Sequence, residues 1–292
     1  MPNGVACATI GAPPVELKSS LSTVRIFGYF LEPNQTNQVN LQCRTELATN
    51  YKSGAQIARV LTEEWTAREL YCPACDSKRL LPSKANTPAI DFECPRCTQL
   101  FQLKSLRKWN PRKIVDAGYD AMIRSIRADR VPNLLVLQYS SDWIVRNLML
   151  VPRVFFTESA IERRKPLAVG ARRAGWIGCN ILLSQIAADG KIEMVSDGIP
   201  VSEQEVRNEF SRIRKLAEVP PSVRGWTLHV LSAVRRLGKS RFSLGDVYDF
   251  ESELQITHPL NRNVRPKIRQ QLQILRELGL IEFETRGTYK IT

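Results

Sequence analysis

From about residue 53 onward the apolar positions of the chain fall into regular patterns. KSGAQIARVLTEEWTAREL places Ile57, Val60, Leu61 and Trp65 on one face of a helix. A second helix is predicted where Val115, Tyr119, Met122 and Ile126 recur at helical spacing. LLVLQY (134–139) and IVRNLMLV (144–151) read as strands, the first a near-continuous apolar run of the kind found in a sheet covered on both faces. ILLSQI and KIEMV extend this β-rich part, and 202–216 form a polar helix. EVPPS (218–222) breaks the pattern, because two prolines cannot continue a helix. Beyond it WTLHVLSAVRRLG is a helix closed by Gly238. FSLGDVYDFESEL opens with Ser243 and Asp246 at the spacing of a capping box. RPKIRQQLQILRELG buries Ile268, Leu272, Leu275 and Leu278, and IEFETRGTYKIT is a hairpin with an Arg-Gly turn. Three helices and a two-stranded wing make a winged helix, a helix-turn-helix module whose third helix is in recognition position.

The expected organisation is therefore a weakly structured extension over 1–38, an α/β domain over 39–217 and a winged helix over 218–292. The extension is rich in Pro, Asn, Ser and Thr, with one apolar patch, VRIFGYFL. Hydrophobic content of 43% over 292 residues supports real cores. Charge narrows the function: 42 basic residues against 29 acidic give +13, which favours a polyanionic partner, foremost nucleic acid. An anionic membrane surface is the rival, but no apolar run of spanning length and no basic amphipathic helix with bulky aromatics supports it. No protein partner is implied. No secretion signal opens the chain, so the expected location is the cytoplasm.

Four of the seven cysteines form two C-x-x-C pairs, Cys72/Cys75 and Cys94/Cys97. A single such pair can be redox-active, but two pairs at this separation read as four thiolates around one tetrahedral zinc. Four protein ligands leave no open position, so the zinc is expected to be structural. Cys7, Cys43 and Cys179 are single and read as buried or idle thiols.

The second knuckle lies inside a predicted hairpin, AIDFECPRCTQLFQLKS, with Asp91 before it and Gln102 and Lys104 after it. Gln102 and Lys104 share a strand face because side chains alternate. A metal-dependent phosphodiesterase needs an oxygen cluster for Mg²⁺ and a cation near the attacking water or the developing charge. Asp91, the Gln102 carbonyl and Lys104 supply that set; the plain alternative is three surface residues on a polar strand face. In the third winged-helix segment, Asn263, Gln270 and Gln273 oppose the apolar face, flanked by Arg265, Lys267 and Arg269. Asn and Gln can bond adenine edges, and Arg can take guanine. Residues 219–292 hold twelve basic and seven acidic residues, and Arg286 in the wing is placed to meet phosphate. His229 and His258 fall in no nucleophile or ligand pattern.

These stretches, together with DAGYDAMIRSIRAD, RRAGWIGCNI and IRQQLQILR, resemble the DpnI-type methyl-directed restriction endonucleases over roughly residues 41–292. The resemblance implies a PD-(D/E)xK nuclease core with a Cys₄ zinc site and a winged helix, cutting double-stranded DNA at GATC carrying N6-methyladenine, with Mg²⁺. It implies Asp91 as the metal-binding acid, with the Leu103 carbonyl a further ligand, and Lys104 as the catalytic lysine. It sets Trp176 against the methyl groups, with Arg172 and Arg173 on phosphates or guanine edges. The residues alone leave Trp176 open between an exposed loop and a core aromatic. The chain departs from the family pattern at Gln102, where an acid is usual. An amide brings a dipole to a cation where a carboxylate brings a charge, so metal affinity falls unless another acid compensates, with Glu63, Glu64 and Glu93 the candidates. The alternative reading is a catalytically weak or inactive reader of methylated DNA.

Overall fold

The computed structural model describes residues 39–84 and 87–292, so the expectations for 1–38, Cys7 included, lie outside the described residues. In chain order the elements of the first part are α1 (Gly54–Glu69), β1 (Leu81–Pro82), β2 (Phe92–Glu93), β3 (Leu100–Leu106), β4 (Lys113–Gly118), α2 (Tyr119–Arg127), β5 (Asn133–Tyr139), β6 (Val145–Val151), β7 (Ile161–Arg163), β8 (Gly178–Leu182), β9 (Ile192–Ser196), β10 (Ile199–Pro200) and α3 (Glu203–Arg214). The second part comprises α4 (Pro221–Arg236), β11 (Arg241–Ser243), α5 (Leu244–Tyr248), α6 (Glu251–Thr257), α7 (Val264–Glu277), β12 (Ile281–Thr285) and β13 (Thr288–Ile291).

One seven-stranded sheet, ordered β1-β2-β3-β5-β6-β9-β10, carries the first part. It is mixed: β3 and β5 are parallel and its other pairs antiparallel. The apolar run of β5 explains its central place. Leu135 and Leu137 point into a core with Leu61 and Trp65 of α1 and Val206 and Phe210 of α3. Leu134 and Val136 point the other way, into a core with α2 and the second sheet β4-β8-β7. That second core continues without a break into Val230, Leu231, Ile268 and Leu272 of the winged helix. The mixed α/β architecture with a C-terminal helix-turn-helix part holds.

Four expectations are corrected. Val115 does not begin a helix: residues 113–118 are β4, Val115 is exposed, and the helix starts at Tyr119. The spacing of Val115 fits a helical face, but β-branched Ile114-Val115 pair with β8 and Gly118 ends the strand. ILLSQI is a strand only at its start; β8 runs from Gly178, and Leu183–Gln185 form a 3₁₀ turn. FSLGDVYDFESEL holds two short helices rather than one, the first closed at Asp249. Its capping box is complete, with Ser243 and Asp246 each accepting the other's backbone N–H. The wing gains a third strand, β11, paired with β13. Gly238 and Gly287 both take positive φ, at the end of α4 and in the wing turn, where a β-carbon is disfavoured.

Candidate functional site

The hairpin forms as the sequence suggests: β2 and β3 pair antiparallel, Phe92 opposite Phe101 and Glu93 opposite Leu100. Phe101 turns into the α1 side of the sheet, so Gln102 and Lys104 turn to the opposite side, facing β4. There they meet a third residue, Asp116. Lys104 Nζ lies 2.6 Å from Asp116 Oδ1. The Gln102 amide donates to the same oxygen at 3.1 Å. Gln102 is 6% exposed and the Asp116 side chain fully buried, so neither is a surface residue of a polar strand face. Asp116 Oδ2 is buried and accepts from no group among the described residues.

Asp91 joins the hairpin through the backbone instead. Its Oδ2 accepts the Leu103 N–H at 2.7 Å, just where β2 no longer covers that edge of β3. A strand residue turns its N–H and C=O to the same edge, so the Asp91 carboxylate and the Leu103 carbonyl share that edge. Two of the acids expected to compensate for Gln102 have arginine partners. Glu64 is held by Arg44 and Arg68, Glu63 bonds Arg59, and Glu93 is exposed on β2. Burial pushes the Glu63 carboxyl up, Arg59 opposes this, and the charge of Asp91 adds to it. The acid that meets Gln102 is Asp116. It escaped sequence reading because the helical spacing of Val115 disguised a strand; an acid between β-branched residues and a glycine, in IVDAG, was the signal available.

The oxygens of Asp91, Gln102, Leu103 and Asp116 are hard donors of the kind Mg²⁺ takes, and an orphaned buried carboxylate oxygen beside a lysine fits such a donor set. The four knuckle sulfurs lie within 4.8 Å of one another, with Cys72–Cys97 at 3.6 Å and Cys75–Cys94 at 3.5 Å. Tetrahedral zinc with bonds of about 2.3 Å spaces its sulfurs by about 3.8 Å, so the set fits such an ion. Burial works against a charged Cys94, yet the backbone N–H groups of Cys97 and Arg96 and the thiols of Cys75 and Cys97 overcome it and bring that thiol down to about 6, while burial pushes Cys97 up to about 11 and raises Cys72 as well. Arg207 of α3 donates to the Cys72 and Ser77 carbonyls and lies over the Tyr71 ring, tying the knuckle to the domain.

The strand pair that carries Asp116 also carries Trp176. Asp116 stands opposite Cys179, and two residues further on Gly118 stands opposite Gly178. The Trp176 indole lies on these glycines: a β-carbon at Gly178 would be 2.9 Å from its Cη2 and Cζ3. Trp176 is half-buried, outside both cores, at the foot of a loop that exposes Arg172 and Arg173. Cys179 is buried, and its thiol is pushed up to about 11, chiefly by burial and then by Asp116. Asn263 at the start of α7 and Arg265, Arg269, Gln270 and Gln273 along it are exposed, Lys267 is half-buried with its ammonium on Gln270, and Arg286 is exposed at the wing turn. These residues occupy the winged helix and share no contact with the hairpin cluster among those described. No described helix is long and apolar enough to cross a membrane.

Two family models match the chain. One, described as DpnI, Dam-replacing family, covers residues 39–219; the other, described as the Dam-replacing HTH domain, covers 222–291.

Proposed function

The chain belongs to the DpnI, Dam-replacing family, and from that membership we propose that it cuts double-stranded DNA at G(N6-methyl-A)TC by Mg²⁺-dependent phosphodiester hydrolysis. Membership itself supports the coarser statement, a methyl-dependent type II restriction endonuclease that binds DNA. The observation that supports metal-dependent hydrolysis is the convergence of Gln102 and Lys104 on one buried carboxylate, beside an edge that presents Asp91 and the Leu103 carbonyl. Asp91, Gln102 and the Leu103 carbonyl would hold the ion; bound there, Mg²⁺ supplies Lewis acidity and a lowered pKa for bound water. Lys104 presents its ammonium to the attacking water or to charge developing on the phosphate. The Cys₄ knuckle, holding zinc, fixes the spacing of β2 and β3 and so of Asp91 against Lys104.

Reading of the mark is divided between two places. Burial of one methyl contributes only about 0.8 kcal/mol, several-fold in affinity, which is too little to spare unmodified DNA. Trp176 offers an indole face to methyl groups, with Arg172 and Arg173 beside it for phosphate or guanine. Asn263, Gln270 and Gln273 of α7 address base edges, and Arg265, Lys267, Arg269 and Arg286 the bases or backbone. Two such contacts on one palindrome multiply the preference. Gln102 favours a second reading, a reader that binds without cutting.

One experiment separates them. Plasmid grown with or without adenine methylation is incubated with the protein and Mg²⁺. Cutting confined to the methylated plasmid is the expected result. Equal cutting of both removes methyl-dependence, and binding of methylated plasmid without cutting leaves the reader.

A further inference from the structure

Resting on the nuclease reading above, we infer that Asp116 supplies the second carboxylate of the cation site, standing in from β4 for the acid that Gln102 lacks. Charge is the starting point. A hairpin with Gln at this position brings one carboxylate, Asp91, to a divalent ion, and an amide oxygen cannot replace the missing charge. Asp116 is the acid that touches the Gln102 side chain, 3.1 Å from its amide nitrogen. It is donated by the second sheet, across the interface from β3, at a position where Ile114 on one side and Cys179 opposite are both buried.

Its two oxygens are used unequally. Oδ1 takes both Lys104 and the Gln102 amide. Oδ2 is enclosed and receives no hydrogen bond from the described residues. A buried carboxylate oxygen without a donor is costly and rare in a folded protein. Lys104 and the Gln102 amide are both spent on Oδ1, so the unpartnered Oδ2 is the atom left to meet a cation. The geometry also orients Gln102. With its nitrogen committed to Asp116, its carbonyl Oε1 turns away from Asp116 and is free to serve as a donor. Asp116 therefore acts in two ways, as charge towards the ion and as the anchor that fixes which end of Gln102 faces it.

The test uses the full chain with zinc in place and reads binding of Ca²⁺ or Mg²⁺ by calorimetry, separately from cleavage. Asp116→Asn is expected to weaken cation binding by about 10- to 100-fold, the range seen when a supporting group of a metal site is lost. Gln102→Glu is expected to tighten it relative to the unaltered chain. The double variant Q102E/D116N moves one acid across the cluster and is expected to bind within a few-fold of the unaltered chain. If D116N fails to fold, comparison of Q102E with Q102E/D116N carries the same information, because the carboxylate introduced at position 102 then remains to balance Lys104. Equal cation affinity with and without Asp116, in either background, overturns the inference. An unaltered chain that binds no cation overturns the nuclease reading instead, so the two failures are distinct.

Discussion

At the scale of single residues, space rather than charge limits the proposed methyl reader. Gly178 is buried beneath the Trp176 indole, and no side chain fits between them. Gly178→Ala places a methyl 2.9 Å from two ring carbons, so the ring must swing off its floor. The fold tolerates this, because Trp176 belongs to neither core. The expected outcome is a several-fold loss of preference for methylated over unmethylated duplex, since one buried methyl is worth about 0.8 kcal/mol, with little change in melting temperature. Titration of the variant with both duplexes measures it, and an unchanged ratio excludes Trp176 from reading the mark. Lys104 illustrates a different limit. Its removal leaves Asp116 buried without a counter-charge, and breaking a buried pair in this way costs about 3–5 kcal/mol. A Lys104→Ala protein that fails to cut is therefore informative only where its DNA binding survives.

At the scale of elements, the knuckle sets the hairpin. β1 and β2 are two residues long, and strands so short do not hold their register by ladder hydrogen bonds alone. Cys72 and Cys75 precede β1, while Cys94 and Cys97 form the turn between β2 and β3, so one ion held by the four would close both connections. Its removal is expected to release Asp91 from its place beside Leu103. Treatment with a strong zinc chelator is expected to lower the melting temperature. A loss of even 3 kcal/mol corresponds to about 5 °C for a chain of 292 residues. Metal content before and after treatment, measured with the melting curve, checks it. A zinc-free protein with an unshifted curve shows that the hairpin stands without the clamp.

At the scale of the whole molecule, the winged helix is built into the first part rather than appended to it. Arg224 of α4 is buried and bonds Asp129 at 2.7 Å, and Arg235 holds the buried Asp189 at 2.6 Å. Between them, Ser159 meets His229 Nε2 at 2.7 Å, and His229 Nδ1 meets His258 Nε2 at 2.8 Å, with His258 stacked on Trp226. Burial holds both imidazoles down at about 4. Glu253 opposes this at His229, while His229 and Lys267 reinforce it at His258. Unfolded histidine titrates near 6.5, so between pH 6.5 and 4 the unfolded chain binds more protons than the folded one. The stabilising contribution of the neutral pair is complete above pH 6.5 and is lost as pH falls towards 4. Asp129 is also depressed: burial raises it, but Arg224 and Arg153 outweigh burial, so its contribution disappears only below its ordinary value of 3.8. Denaturant midpoints are thus expected to drop from pH 7.5 to 5, and the drop to flatten in His229→Gln. An equal drop in that variant removes the histidines as its source.

The sequence by itself determined whatever depends on short-range pattern. The knuckle spacing, the alternation in LFQLKS, the two-sided burial of LLVLQY, the capping box at Ser243 and the α7 face of Ile268 and Leu272 are set by neighbours within a few residues, and all are legible without coordinates. The partner of Gln102 and Lys104 was not. Asp116 reaches them from another sheet, and its strand imitates a helical face until β8 is there to pair with it. Likewise nothing local announces that His229 meets Ser159 across the domain junction while its other ring nitrogen meets His258. Such contacts arise from long-range packing, where β-pairing and burial outweigh local propensity, and only the tertiary structure decides them.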